Sequence, residues 1–181
     1  MPNYAHKETR LMFDDEFNKL MVSKFFTKPK RDRALMALLY YSGVRVSEAI
    51  GTKRKQLYRS TNVLYYDVGE RLKHSKTTPA LPIPFDAPHV SNIIDVYVDL
   101  EPEALVFDIT RRTALTVVKS FAFYPHFYRA NRITRFFLDG YTIPEVKGWT
   151  GLNVKNLEYY VVMASIVKMG RTLAGGGKHI H

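Results

Sequence analysis

Apolar side chains recur at helical spacing along most of this chain. The first such segment runs over 14–26, where aromatic and aliphatic residues return every three or four positions. Asp14 and Asp15 open it, and acidic residues favour the N-terminal end of a helix because the helix dipole is positive there. The sequence predicts further helices over 31–41, 46–51, 87–100, 110–121, 129–138 and 154–173.

Two short stretches have the composition of strands. The segment 63–68 is rich in Val, Leu and Tyr, and 80–85 is its expected partner. Pro82 and Pro84 confine this partner to the edge of a sheet, because proline has no N–H to donate. The polar, basic stretch 69–78 between them is expected at the exposed tip of a hairpin. The pattern as a whole predicts an α+β fold that is mostly α-helical, with a small antiparallel sheet.

The composition limits the class of protein. With 181 residues, of which 46% are hydrophobic, the chain is long enough for one sizeable core. A net charge of +10 favours a polyanionic partner, and nucleic acid is the commonest. The absence of cysteine excludes disulfides, thiolate zinc sites and a cysteine nucleophile. No apolar run approaches the roughly 20 residues that a membrane span needs.

A small set of residues has the chemistry of phosphate transfer. Arg45 comes just after a helix-ending glycine, and Glu48 lies within helical reach of it. A guanidinium held by a carboxylate is a preorganised fork for phosphate oxygens, although these two residues alone are more typical of a surface ion pair. Together with a histidine, an indole donor and a phenol, two arginines can break and rejoin a phosphodiester through a tyrosine ester. The remaining candidates are His126, Arg129, Trp149, Tyr159 and Tyr160.

In their order and local sequence these residues resemble the tyrosine recombinases, the phage-type integrases. The resemblance covers 13–169 and implies the catalytic-domain fold of that family, with a small three-stranded antiparallel sheet. Arg45 stands in the family's Thr-Gly-x-Arg-x-x-Glu element as the first catalytic arginine, supported by Glu48. His126 and Arg129 match the family's His-x-x-Arg, which implies proton transfer by the histidine and phosphate binding by the arginine. Both arginine side chains are therefore expected to be exposed.

The resemblance also implies a catalytic lysine on the hairpin. In the family, this lysine reaches into the minor groove and protonates the leaving 5′-oxygen. Lys76 fits the position, since it lies in a Ser-Lys-Thr sequence ahead of Ile83 and Pro84. Lys73 is the alternative.

A Gly-Trp-Thr element near the C-terminus is similar to that of Cre-like recombinases. Trp149 then replaces the histidine of most relatives, and an indole N–H can donate to a phosphate oxygen. The segment from Gly140 to Trp149 is shorter than the family pattern, however. Without a gap, Leu152 takes the histidine position, and leucine cannot donate.

The nucleophile falls within the paired tyrosines. Adjacent helix positions point roughly 100° apart, so only one phenol can face the phosphate. The overlay on the family's Thr-Thr-Gln-x-Tyr favours Tyr160, and Tyr159 is the alternative.

These correspondences imply a site-specific recombinase or integrase catalytic domain. It would cleave and rejoin double-stranded DNA through a 3′-phosphotyrosine, without metal, cofactor or ATP. On DNA it would form a homo-oligomer, dimer to tetramer, in which the segment after Tyr160 packs against a neighbouring protomer. Two alternatives remain open: a catalytically inactive DNA-binding protein of the same fold, and a strand-relaxing enzyme of the type IB topoisomerase kind.

The domain organisation follows the same resemblance. We expect a leader over 1–12, a catalytic domain over 13–173 and a flexible tail over 174–181, with no N-terminal core-binding domain in this chain. The two histidines of the tail are read as tail composition and not as a metal site. The expected location is the host cytoplasm or nucleoid without membrane attachment, and the composition hints at an archaeal or viral integrase.

Overall fold

A computed structural model of the chain describes residues 11–23, 26–69, 79–121 and 123–175. Helices and a small sheet make up these ranges, as the sequence predicts, and the α+β class is confirmed. Among the residues described, no helix has both the length and the apolar character to span a bilayer. The helices are α1 (Asp14–Ser23), α2 (Pro29–Ser42), α3 (Val46–Ile50), α4 (Val90–Tyr97), α5 (Arg111–Ser120), α6 (Pro125–Leu138), α7 (Ile143–Thr150) and α8 (Val154–Gly175). The strands are β1 (Leu57–Ser60), β2 (Val63–Tyr66) and β3 (Leu81–Pro84).

Helix α2 lies at the centre of the core. Every side chain from Ala34 to Ser42 is buried, so the helix is covered on all sides. Helices α4 and α6 pack against it, and α3 and β3 also contact it. This central position fixes the place where α2 ends, which is where the candidate arginine Arg45 follows.

The sheet is antiparallel with strand order β1-β2-β3. Leu64 of β2 pairs with Ile83, and both side chains are buried under the sheet. Pro82 and Pro84 lie in the edge strand β3, as predicted from their missing N–H groups. Strand β1 was not located from the sequence, because Leu57 is its only buried residue and its other side chains are exposed.

Helices α6 and α7 differ from the sequence-based prediction in ways that affect the site. Helix α6 begins at Pro125 and not at Arg129, so His126 and Arg129 lie on the same helix. Helix α7 was not predicted, since it is short and contains a proline and a glycine. Its first turn is stabilised by Glu145, whose carboxylate accepts hydrogen bonds from the backbone N–H and the hydroxyl of Thr142 at 2.7 and 2.6 Å.

Helix α1 is fastened to both α2 and α6. The ring of Phe17 stacks on that of Tyr40 with centroids 3.9 Å apart. The carboxylate of Asp14 accepts hydrogen bonds from the Tyr40 hydroxyl and from Arg135, each at 2.8 Å. The charged groups Asp14 and Arg135 thus neutralise each other beside the core.

Candidate active site

The site is built around the close approach of α2 and α6. Gly43 ends α2 in the left-handed conformation, with φ of 66°. A β-carbon placed there would lie 2.8 Å from the Cβ atom of Arg132 on α6, so a side chain does not fit without movement. At Gly43 the backbone that ends α2 therefore packs against the Arg132 side chain of α6. The chain then turns outward toward Arg45.

Arg45 occupies the N-cap of α3 and is paired with Glu48. Its Nη1 atom donates to Oε1 of Glu48 at 2.8 Å, and its backbone N–H donates to Oε2 at 2.7 Å. The predicted ion pair between these residues is confirmed. About half of the Arg45 side chain, 48%, is exposed, which leaves the guanidinium accessible to an anion from solvent.

Arg129 lies deeper and connects two helix ends. Its Nη1 donates to the carbonyl of Gly43 and its Nη2 to the carbonyl of Thr150, both at 2.8 Å. The residue is only 7% exposed, so the expectation of an exposed Arg129 side chain was wrong. The physical reason is that α2 and α7 both end beside α6, and the carbonyls at helix ends lack intrahelical partners. Arg129 supplies those partners.

His126 lies in the first turn of α6 and is exposed. It precedes Arg129 by three positions, so the two side chains project from neighbouring positions on one side of the helix. His126 is thus an exposed imidazole one helical turn before the buried arginine.

Trp149 lies near the C-terminal end of α7, next to Thr150. Its ring packs against Phe136 and Tyr141, with centroids 5.1 and 4.9 Å away, and the residue is 8% exposed. Its packing is that of a core aromatic residue, and its role as a donor to phosphate stays a prediction. Leu152 takes the family's histidine position if the two sequences are aligned without a gap. It is partly buried against the core.

The paired tyrosines on α8 have different surroundings. Tyr159 is 50% exposed, whereas Tyr160 is partly buried and packs against the core. Burial raises the pKa of Tyr160, and the positive charge of Arg129 partly opposes this increase. Tyr160 therefore lies on the core side of α8, close enough to Arg129 for the charge of that guanidinium to act on its phenol.

The candidate lysines cannot be placed. Lys73 and Lys76 both lie outside the described residues, and so do His179 and His181 of the tail. Pro79, which follows the lysine segment, contacts α7: a β-carbon at Gly148 would lie 3.0 Å from its Cγ atom.

The structure thus brings Arg129 to the ends of α2 and α7 and places Arg45 two residues beyond Gly43, whose carbonyl Arg129 binds. The charge of Arg129 also acts on the Tyr160 phenol. Sequence analysis did not identify the two carbonyls that hold Arg129. Gly43 and Gly151, which follow α2 and α7 with φ of 66° and 64°, are local signals for the helix ends but not for the meeting of both ends at Arg129.

The chain is similar in architecture to solved structures of recombinases and integrases. The chain is similar to XerA recombinase with a TM-score of 0.61 and 17% identity, over 87% of this chain and 60% of that one. It is similar to XerH site-specific recombinase bound to difH substrate with a TM-score of 0.65 and 16% identity, over 83% and 49% of the two chains. It is similar to the catalytic domain of bacteriophage HP1 integrase with a TM-score of 0.60 and 14% identity, over 87% of this chain and 89% of that one.

These comparisons show that the chain has the fold of a tyrosine recombinase catalytic domain. At 14–17% identity the likeness is one of fold. The chain spans 60% of the XerA chain and 49% of the XerH chain. No family model matches the sequence, and no curated protein sequence does.

Proposed function

We propose that this protein is the catalytic domain of a site-specific DNA recombinase. The observation that carries the proposal is the buried guanidinium of Arg129, which two helix-end carbonyls hold in place and whose charge acts on the partly buried Tyr160 phenol. A tyrosine next to a fixed arginine is the minimum needed to attack a phosphodiester and to stabilise the charge that develops. The recombinase-type fold supports the same function.

In the proposed reaction, Arg45 binds the scissile phosphate from the solvent side and Arg129 binds it from the buried side. Arg45 is exposed and reaches the phosphate first, while Arg129 is held rigidly by the Gly43 and Thr150 carbonyls. Rigid placement favours catalysis, because the donors need no reorganisation when negative charge accumulates in the transition state. Trp149 is the third donor implied by the resemblance.

The phenolic oxygen of Tyr160 forms a bond to phosphorus, and the bond from phosphorus to the 5′-oxygen breaks. The products are a 3′-phosphotyrosine and a free 5′-hydroxyl, and attack by a 5′-hydroxyl reverses the step. The phenol of Tyr160 has to lose its proton during attack, and burial, which raises its pKa, makes that loss harder without a base. We assign proton transfer to His126 and protonation of the leaving oxygen to Lys76, or to Lys73 in its place.

Positive charge supports double-stranded DNA as the substrate. Helix α5 contains no acidic residue, and Arg111, Arg112 and Lys119 are exposed on it. Such cations bind phosphates without reading sequence, so they contribute affinity and orientation on the duplex. The net charge of +10 acts in the same direction.

A homo-oligomer on DNA, dimer to tetramer, is part of the proposal. Helix α8 exposes an apolar face at i, i+3, i+7 and i+10 positions: Tyr159, Val162, Ile166 and Met169, each at least half exposed. We propose that this face, the α8 apolar face, packs against a neighbouring protomer. The expected domain limits, 13–173, and a cytoplasmic location belong to the same proposal.

The test is a covalent-trapping assay. Nicked duplexes with a randomised central sequence are incubated with wild type, Tyr160→Phe and Tyr159→Phe, and the adduct is detected on a denaturing gel. We expect an adduct with wild type and with Tyr159→Phe, and none with Tyr160→Phe. If the adduct is lost only in Tyr159→Phe, then Tyr159 is the nucleophile and not Tyr160.

The same assay separates the alternatives. If the protein binds duplex DNA but forms no covalent adduct with any sequence, it is an inactive DNA-binding protein, and the proposal is contradicted. An adduct accompanied by relaxation of supercoiled plasmid, without exchange between two duplexes, would indicate a topoisomerase-like enzyme.

A further inference from the structure

Arg45 is held less directly than Arg129. The Arg129 guanidinium donates to two backbone carbonyls, whereas that of Arg45 donates to the Glu48 carboxylate and belongs to a side chain that is about half exposed. An exposed ion pair restrains a long side chain only weakly. A fixed position for Arg45 therefore requires that Glu48 itself be fixed.

The backbone of Glu48 is fastened by two buried hydroxyls. The hydroxyl of Thr52 lies 3.1 Å from the Glu48 carbonyl oxygen, and that of Tyr66 lies 3.3 Å from the same atom. The two hydroxyl oxygens are 2.6 Å apart, so one hydroxyl donates to the other and the second proton goes to the carbonyl. Thr52 and Tyr66 are each 1% exposed, so bulk water does not compete for these hydrogen bonds.

These hydroxyls serve a carbonyl at the end of a very short helix. Helix α3 has five residues, and the backbone N–H of Thr52, four positions after Glu48, donates to the Ala49 carbonyl at 3.2 Å. Tyr66 comes from β2, the central strand of the sheet, which is hydrogen-bonded along both edges. The hydroxyl pair therefore ties the end of α3 to a strand that is itself held on both sides.

We propose that Thr52 and Tyr66 are positioning residues for Arg45. Their hydroxyls hold the Glu48 backbone, and the Glu48 carboxylate in turn accepts from the guanidinium and the backbone N–H of Arg45. Arg45 is thereby preorganised for the phosphate, although neither hydroxyl touches that phosphate. This inference rests on the proposed recombinase function and names the support of its exposed arginine.

The test removes each hydroxyl while keeping the shape of its side chain. Thr52→Val and Tyr66→Phe do so, and Thr52→Ser is the conservative variant that keeps the hydroxyl. The control is Tyr40→Phe, because Tyr40 is also buried but its hydroxyl donates to Asp14 of α1. Thr52→Val is also made in a Glu48→Ala background, where the carboxylate that holds the arginine is absent.

The rate of adduct formation is measured with protein in excess, on a nicked duplex that wild type cleaves. NMR measures hydrogen exchange at the Arg45 amide, which donates to Glu48, and at the Gly43 amide, which donates to the Leu39 carbonyl at the end of α2. Urea denaturation measures the stability of every variant, so that a local effect is separated from a general loss of stability.

We expect Thr52→Val to slow adduct formation by about tenfold, as for the loss of one buried hydrogen bond. Exchange at the Arg45 amide should become faster by a similar factor, while exchange at the Gly43 amide stays as in wild type. Thr52→Ser should restore both properties toward wild type. Tyr66→Phe should have a smaller effect, because Thr52 can still donate to the carbonyl.

The control and the double variant identify the route of the effect. Tyr40→Phe should lower stability and keep the wild-type rate. In the Glu48→Ala background, Thr52→Val should change the rate by less than about twofold, because the connection to Arg45 is already broken.

Wild-type rates in both Thr52→Val and Tyr66→Phe would overturn this inference and leave the recombinase proposal intact. An equal loss of rate with and without Glu48→Ala would also overturn it, because the hydroxyls would then act on the fold as a whole. No adduct from wild type on any duplex would refute the recombinase proposal, and this inference with it.

Discussion

At the residue scale, the two candidate arginines have different structural roles. Arg45 is tied to Glu48 at the surface, whereas Arg129 is buried and supplies hydrogen bonds to the ends of α2 and α7. Removing the buried Arg129 side chain leaves backbone carbonyls without a hydrogen bond, which lowers stability. An exposed ion pair such as that of Arg45 contributes little to the free energy of unfolding. Substitution at the two positions should therefore separate catalysis from stability.

We expect Arg45→Ala and Arg129→Ala each to suppress adduct formation by orders of magnitude. Arg45→Ala should leave the free energy of unfolding within about 1 kcal/mol of wild type. Arg129→Ala should lower it by about 3 kcal/mol, since two carbonyls lose a charged donor. Urea denaturation measures both values, and a wild-type stability for Arg129→Ala would show that its buried hydrogen bonds do not support the fold.

At the element scale, the meeting of α2 and α6 fixes the relative positions of Arg45 and Arg129. Gly43 is essential to it for two reasons, namely its left-handed φ of 66° and its contact with the Arg132 side chain. Any side chain at this position has to strain the backbone and displace α6. The same glycine provides the carbonyl that binds Arg129.

We predict that Gly43→Ala lowers the free energy of unfolding by about 1–3 kcal/mol. The matched control is Gly170→Ala on α8, where a β-carbon meets nothing within 4 Å. That variant should gain about 0.5–1 kcal/mol, because alanine is the better helix former. Thermal or urea unfolding of both variants provides the comparison, and a stability gain in Gly43→Ala would contradict the proposed close packing.

At the scale of the whole molecule, the site and the apolar face share one helix. Tyr160 points toward the core side of α8, whereas the α8 apolar face (Tyr159, Val162, Ile166 and Met169) is exposed along the same helix. In the proposed assembly, a protomer that packs on this face would act directly on the helix that carries Tyr160. We therefore expect assembly and catalysis to be coupled.

We expect Ile166→Glu, and equally Met169→Glu, to prevent assembly beyond one protomer per DNA half-site. A carboxylate on a buried apolar contact leaves an unpaired charge, and this is strongly unfavourable. Mass photometry of protein–DNA mixtures measures the stoichiometry. Val22→Glu on α1 is the control, at a residue that is 77% exposed and outside the face. Unchanged stoichiometry in both α8 variants would refute the interface.

Local patterns in the sequence were enough to predict most of the elements. Helical periodicity located α1, α2 and α8, and Pro82 and Pro84 located an edge strand, because these signals depend only on neighbouring residues. Helix α7 was missed, since it is short and contains a proline and a glycine, although its capping box of Thr142 and Glu145 is a local signal. The approach of Gly148 to Pro79, by contrast, cannot be seen in a local window.

The sequence by itself determined the chemistry available to this protein: two arginines, an imidazole, an indole and paired phenols in recombinase order, on a basic α+β chain. Only the tertiary structure decided how those groups are used. Tyr160 and Tyr159 are adjacent in sequence, and packing of α8 alone buries one and exposes the other. Arg129 is buried because residues 43 and 150, far apart along the chain, converge on it. Convergence of distant backbone groups depends on the whole fold, so no local pattern can encode it.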